Sequence, residues 1–374
     1  MKGVTPISGM ALYLTPMTPP SSHEPAWRRA ALDDPEAARA WDDDLRRTAG
    51  PFPGLYHSAA WLQLLGKIYG ITGCHLTNAD GARFVLHHAR PGGWLGCAHA
   101  PYGGIWAPVA AAAIPPEAPR LPEPAVLAAA GIRTFRLRTV TPEPAAPETL
   151  APGGKVAMWL PLPKGDGDVL WKSFPAKVRN QVRKAEKEGV TVTAGRDDQL
   201  LEAFYLLYAR RMHEFGTPAH GRPFFHALLR QFPAAELVVC HHQGTPAAAV
   251  LDIPWGAWRV NLYGAADTAR RALCANNLVY WESLRRACLG GCAWYDFSRS
   301  TVDSGQYRFK AQWGAAPRRI HEWRITADSA TAGGWQLTET AAGVGEKSLA
   351  ARIWRLLPAA ATNQLGPRIR ALVP

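Results

Sequence analysis

Between Ser58 and Gly70, Trp61, Leu64, Leu65 and Ile68 recur at helical spacing. Ser58 stands where a first turn needs a cap, and Gly70 where a last turn ends. The stretch from Pro25 to Arg47 reads as a helix or two, closed by PFPG at 51–54. Residues 71–108 read as short strands with turns, and IRTFRLRTV and VAMWLPLP alternate as strands. Beyond them the pattern becomes regular. Ser173 to Gly189 predicts one helix, VTVTAG a strand, Leu200 to His213 a helix and PFFHALLRQF another. ELVVCHHQGTPAAAVLDIPW predicts strand–turn–strand, WRVNLYGAAD a strand, LVYWESLRRACLGG a helix, CAWYDFSR a strand and RRIHEWRI a last strand. STVDSGQYRFKAQWG is expected as a loop before it. In an extended segment Tyr307, Phe309 and Trp313 would share one face, with Lys310 on the other.

Alternating helices and strands, with hairpins among the strands, place the chain in the mixed α/β class. The turn-rich PKGDGD marks a joint. The expected organisation is a leader and helical segment over 1–50, a first domain over 51–163, a second over 164–326, and a tail over 327–374 with a basic amphipathic helix around ARIWRLL. At 374 residues and 47% hydrophobic content the chain has material for two packed cores, which excludes global disorder. The longest apolar runs are too short to span a bilayer, so no stable membrane insertion is expected. The first residues lack a secretory h-region, so the expected compartment is the cytoplasm. Cys74, Cys97, Cys240, Cys274, Cys288 and Cys292 lack paired ligand spacing, and reduced thiols with no metal site are expected.

The formal net charge of +12 favours polyanionic partners. Its most concentrated expression is WKSFPAKVRNQVRKAEKEG, with six Lys or Arg against two Glu. Val178, Val182 and Ala185 form a narrow apolar seam there. Lys177, Lys184 and Lys187 share a second face, and Arg179 and Arg183 a third. A one-signed face suits phosphate groups; a solvated surface helix with Lys184–Glu188-type pairs is the plainer alternative.

PAKVRNQVRKAEKEGVTV, FYLLYARRMHEFGTP, NNLVYWESLR, YDFSRST and YRFKAQWGA resemble, in order and spacing, the FemAB-like proteins, most of all their exosortase/PEP-CTERM-associated branch. HSAAWLQLLGKIYG and the tail IWRLLPAAATNQLGPRIR resemble that branch too. The likeness runs from about residue 55 to 372 and is strongest from Trp171 to Trp323. It implies two tandem GNAT-like domains, each a mixed, mostly antiparallel sheet flanked by helices. It also implies transfer of an aminoacyl group from an aminoacyl-tRNA, or another phosphate-bearing acyl donor, to an amine-bearing precursor. No further cofactor is implied. In the family a Phe-Lys pair near the end of the second domain places a Lys at the reaction centre; Phe309 and Lys310 match it.

Aminolysis of an ester needs a donor for the developing oxyanion. Lys310, among aromatic residues that exclude water, suits that role, with Phe309 as its packing partner. Asp296 is the candidate base or orienter; capping of the following loop is its plainer role. No Ser/His/Asp or Cys–His set stands out, so direct transfer is expected. The candidate substrate contacts are Arg211, Tyr208, Tyr263, Arg299, Tyr307, Lys177, Arg183, Lys184, Lys67 and Tyr102. An acyl-CoA-dependent N-acyltransferase is the first alternative. Against it, RRALCANN has Leu273 where a pyrophosphate-binding loop needs Gly, although Arg270 and Ala275 fit its ends. A non-catalytic RNA- or glycan-binding protein is the second.

Overall fold

The computed structural model describes residues 27–48, 50, 52–88, 98–99, 105–106, 121–141, 143–327, 335–340 and 349–370. Its first elements are β1 (Arg28–Arg29), α1 (Pro35–Arg47), a 3-10 turn at Gly54–His57 and α2 (Ala59–Tyr69). Strands β2 (Thr72–Thr77), β3 (Arg83–His88), β4 (Ala98–His99) and β5 (Ile105–Trp106) follow, then α3 (Pro124–Ala128) and β6 (Thr134–Val140). Strand β7 (Lys155–Pro161) leads into α4 (Gly167–Ser173), α5 (Ala176–Lys187), β8 (Thr191–Gly195), α6 (Asp198–Phe215) and α7 (Arg222–Gln231). A meander of β9 (Glu236–His242), β10 (Thr245–Trp255) and β11 (Trp258–Ala266) precedes α8 (Ala275–Leu289), β12 (Trp294–Thr301), α9 (Gly305–Ala311) and β13 (Ala316–Ala327). Strand β14 (Trp335–Thr340), α10 (Leu349–Leu356) and α11 (Ala359–Arg370) complete the described chain.

The strands run in the order β1-β2-β3-β4-β6-β13-β7-β12-β11-β10-β9-β8, with β14 on β13 and β5 on β3. Pairing is mostly antiparallel; β4–β6 and β11–β12 are parallel. Strand β13 joins two sheets. Its Ala316–Arg319 stretch pairs with β7, and Ile320–Thr326 pairs with β6. The joint at 163–168 runs from β7 into the first turn of α4, yet β7 itself hydrogen-bonds to β12 and β13 in the second sheet.

One face of the second sheet buries Ala157 and Trp159 in a core shared with α1, α2, α6 and α7. The other buries Val156, Met158 and Leu160 under α4, α5, α8 and α9. The alternation of β7 thus sends successive residues into different cores.

Two local expectations are corrected. The helix predicted over 173–189 begins later, as α5 at Ala176, and Ser173 closes a separate helix, α4. Pro175 has no N–H to continue α4 and biases Phe174 to extended backbone, at φ −78° and ψ 146°. The freed Phe174 ring packs edge-on against Trp313, 4.9 Å between centroids. The extended loop expected around Lys310 is helix α9. Ser304 caps it, its hydroxyl accepting from the Tyr307 N–H at 3.1 Å. The spacing of Phe309 and Trp313 also fits i, i+4 on a helix, and their rings meet at 6.4 Å.

Candidate active site

The parallel pairing of β11 and β12 is short. Trp258, Arg259 and Val260 face Trp294, Tyr295 and Asp296, and there it ends. Strand β11 continues to Ala266 on β10, and β12 to Thr301 on β7, so the two strands part. At the parting point β12 bulges: its register against β7 slips between Asp296 and Arg299, and Ser298 takes φ 60°. The Ser298 hydroxyl donates to the Asn261 carbonyl at 2.6 Å, across the start of the gap.

Asp296 and Lys310 both lie at this bulge, each within reach of the other's charge. Asp296 is fully buried, and its Oδ1 accepts the Ser298 N–H at 2.7 Å. Burial pushes its carboxyl up to about 7; the Ser298 hydrogen bond, Lys310 and the Trp159 indole only partly offset it. Lys310, 8% exposed, reaches from α9 to donate to the carbonyls of Arg299 (2.9 Å) and Ser298 (3.4 Å). Burial brings its ammonium down to about 7, against the attraction of Asp296 and with a smaller push from Arg299. Two of its three N–H donors are thus held by the bulge, and one is left for a ligand. Phe309 turns the other way, its ring 5.1 Å from that of Tyr280 in the core.

The first half supplies Tyr56. Its phenol hydrogen-bonds the Ser298 side chain and is raised by burial and then by Asp296. The turn that carries it is pinned on both sides. Trp41 Nε1 donates to the His57 carbonyl at 2.9 Å, and Asp42 of α1 accepts the Ala59 and Ala60 N–H groups at 2.7 and 3.1 Å. That carboxylate sits at the N-terminus of α2, where the helix dipole favours it. Tyr56 is not among the sequence candidates, because it reaches Ser298 only through a contact between distant segments.

Tyr208 and Tyr263 do come together, with ring centroids 5.2 Å apart. Around them stand Tyr69, His220 and Arg370, none of which the sequence singled out. Arg370 Nε donates to His220 Nε2 at 3.2 Å, so the other ring nitrogen carries the proton and faces the Tyr69 hydroxyl. Burial, and then Arg370, holds His220 well below its usual value, hence neutral. Helix α11 approaches this cluster closely because Gly366 has no Cβ, which would lie 3.0 Å from the Ala219 nitrogen. Tyr263 also senses Tyr56 electrostatically, which links the cluster to the bulge.

The other candidates lie apart. Arg211 pairs with Glu214 at 2.6 Å and stacks on Phe215, both on its own helix. Tyr307 is half-buried against the core below α9. Lys67 is exposed on α2, and Lys177, Lys184 and Lys187 are exposed on α5. Arg183 is exposed too, 5.5 Å from the Trp171 ring. Arg299 is exposed on β12 beside the bulge. Tyr102, Cys97 and the leader through Ala26 lie outside the described residues. Arg270 turns to the His242 carbonyl at 3.3 Å, and Cys274, at φ 56°, ends its loop. Among the described residues no His, Cys, Asp and Glu cluster could hold a metal, and no helix is long and apolar enough to cross a membrane. A cavity of about 230 Å³ between Thr149–Lys155 and β13 contains neither Lys310 nor Asp296; the chemistry argues for the bulge instead.

Residues 172–311 match the family described as an Acetyltransferase (GNAT) domain. No curated protein sequence matches the chain. Among solved structures the crystal structure of FemX is similar, with 16% identity, a TM-score of 0.56, and 75% of this chain and 94% of that one covered. A tandem GNAT protein from the clavulanic acid biosynthesis pathway shares 14% identity at a TM-score of 0.48, over 82% and 100% of the two chains. The matched domain contains α5, the parting strands and the Lys310–Asp296 pair. Residues 172–311 thus match a GNAT-type domain, and the chain has a fold similar to that of FemX.

Proposed function

We propose that this protein moves an acyl or aminoacyl group directly onto an amine of a cell-envelope, exopolysaccharide or peptide-like precursor. The observation that supports this most is the buried Lys310–Asp296 pair at the point where β11 and β12 part. The acceptor amine attacks the donor carbonyl carbon, and a C–N bond forms. The carbonyl oxygen becomes an oxyanion, which takes the remaining N–H donor of Lys310. Asp296 accepts the proton that the amine nitrogen must lose. The bond from carbon to the leaving oxygen or sulfur then breaks, and that atom takes a proton. A site with one acid and one base poised near neutral pH suits both transfers. Arg299, Tyr56 and Tyr263 line the approach to the pair.

The donor in this reading is an aminoacyl-tRNA, held in part by the basic face of α5. The match to an acetyltransferase family favours acyl-CoA as a second reading. Against it, Leu273 and Cys274 bring side chains to the loop before α8, where backbone must approach a pyrophosphate.

The test is amide formation. The purified protein is incubated with labelled aminoacyl-tRNA or with acyl-CoA, together with amine-bearing glycan and peptide acceptors, and products are read by mass spectrometry. An amide from aminoacyl-tRNA is expected. Product from acyl-CoA alone would change the donor. Absence of an amide from every donor would leave a polyanion-binding protein.

A further inference from the structure

Cross-strand register places a set of charges on the same sheet face as the reaction centre. Asp296 faces Trp159, Arg299 faces Ala157 and Thr301 faces Lys155 across β12 and β7. On β13, Ala316 and Arg318 face Trp159 and Ala157, and Glu322 faces Arg138 of β6. Partners directly opposite share a face, and so do every second residue along a strand. Arg138, Glu322, Lys155, Thr301 and Arg299 therefore cross four adjacent strands on the side that carries Asp296.

Arg138, Lys155 and Arg299 stand there with the buried Arg318, whose guanidinium lies over the Trp159 ring at 5.4 Å, against the carboxyl groups of Glu322 and Asp296. Arg138 Nε pairs with Glu322 at 3.1 Å, and Lys155 Nζ donates to the Thr301 hydroxyl at 2.6 Å. The exposed Arg299 side chain makes no hydrogen bond or ion pair among the described residues. Burial, and next the Arg299 charge, holds both Arg138 and Lys155 below their usual values, while Glu322 pulls the other way. Like charges gathered with half-buried stems, and short of counter-charge, are stabilised when an oxyanion joins them.

We infer that Arg138, Lys155 and Arg299 form a subsite for a carboxylate or phosphate group of the substrate, set beside the Lys310–Asp296 pair. The inference rests on the acyl-transfer reading for the word substrate; the binding of an anion does not. The planar fork of Arg299 takes two oxygens of the group, and Lys155 offers a point charge. Held there, the anion fixes which end of the substrate enters the parting of β11 and β12. The substrate class is then an amine or acyl compound that also carries a negative group within a few bonds of the reacting atom.

The experiment measures binding alone, so it stands or falls separately from turnover. The full chain is titrated calorimetrically at low salt with inorganic pyrophosphate and, in a second arm, with citrate. Saturable binding of at least one is expected. Arg299→Gln should weaken it about tenfold or more, as loss of a charge-assisted hydrogen bond does, and Lys155→Met should act in the same direction. Arg230→Gln, exposed on α7, should leave it unchanged, and replacing Lys177, Lys184 and Lys187 with Gln on α5 should weaken it less than Arg299→Gln does. A preference for pyrophosphate identifies a phosphate-bearing substrate, and one for citrate a carboxylate. The subsite is overturned if neither anion binds saturably, if Arg299→Gln binds as the wild type does, or if the α5 variant alone loses binding. Arg299 is exposed and unpartnered, so its substitution leaves the fold intact, and near-ultraviolet circular dichroism checks this.

Discussion

The second half of the chain holds positive charge in two ways. On α5, Lys177, Lys184 and Lys187 stand in water, backed by Val178, Val182 and Ala185 in the core. On α9, Lys310 is shut away from water, donating to two carbonyls within the field of the buried Asp296. Two unit charges 4 Å apart interact by about 1 kcal/mol in water and about 4 kcal/mol at an effective dielectric constant of 20. The exposed lysines can therefore gather a polyanion, but each alters it weakly. The buried one acts at a single atom and strongly, at the cost of its own desolvation. In the proposed reading, attraction and chemistry are divided between two helices of one domain.

The sharpest way to break this division is Lys310→Met. The stem length is kept and the charge is lost. If Lys310 stabilises the oxyanion, turnover should fall about 10²–10³-fold, or about 2.7–4 kcal/mol of barrier, with little change in substrate affinity. Steady-state rates with whichever donor yields the amide check this. Near-normal turnover would remove Lys310 from the chemistry.

A smaller effect follows from titration. Asp296 and Lys310 are each brought to about 7 from opposite sides. Activity should rise as Asp296 loses its proton and fall as Lys310 loses its own, giving a bell centred near pH 7 whose limbs belong to the pair. Stability responds too. Asp296 binds its proton more tightly when folded, so the stability it contributes at low pH is lost as pH rises from about 4 to about 7. Lys310 behaves in reverse: its contribution is present above its ordinary 10.5 and is lost as pH falls towards 7. Asp296→Asn removes the first dependence. Its thermal midpoint should therefore gain on the wild type between pH 4 and 7, measured by scanning calorimetry across that range. A constant difference between the two proteins would refute the buried, proton-holding carboxyl.

The contrast also shows what the sequence made legible. Lys177, Lys184 and Lys187 were visible because a helix brings neighbours in sequence together in space. The Ser58 cap, the Gly70 stop and the strands of the second half were local in the same sense. Phe309 and Lys310 are singled out by resemblance, and the helix that carries them reads from sequence as an extended loop. Tyr307, Phe309 and Trp313 satisfy two periods at once over so short a run, and only the Ser304 cap decides between them. The break at Pro175 carried a signal, yet Pro in a first helical turn reads equally well as a continuation. Tyr56, Arg138, Lys155 and Arg370 had no local signal at all. Each reaches its place through strand register or packing between distant segments. Arg211, in a matching block, pairs with Glu214 on its own helix.

The smallest effect is expected on α5, and it completes the comparison. Replacing Lys177, Lys184 and Lys187 together with Gln removes three exposed charges and keeps side chains of similar reach. If each lysine neutralises one phosphate of a tRNA, the slope of log affinity against log salt should become shallower by about 2–2.7, at about 0.7–0.9 for each phosphate no longer neutralised. Affinity at low salt should fall, and the difference from the wild type should shrink as salt rises, because exposed charges are screened over about 8 Å at physiological ionic strength. The maximal rate should hardly change, since none of the three touches the Lys310–Asp296 pair. The thermal midpoint should stay near that of the wild type, because exposed substitutions away from caps and cores usually shift stability by less than about 0.5 kcal/mol. Filter-binding titrations with tRNA and with a nucleotide-linked precursor, at several salt concentrations, measure the slope directly. Identical affinity and slope for both ligands would mean that α5 is a solvated surface, and that the polyanion is held elsewhere.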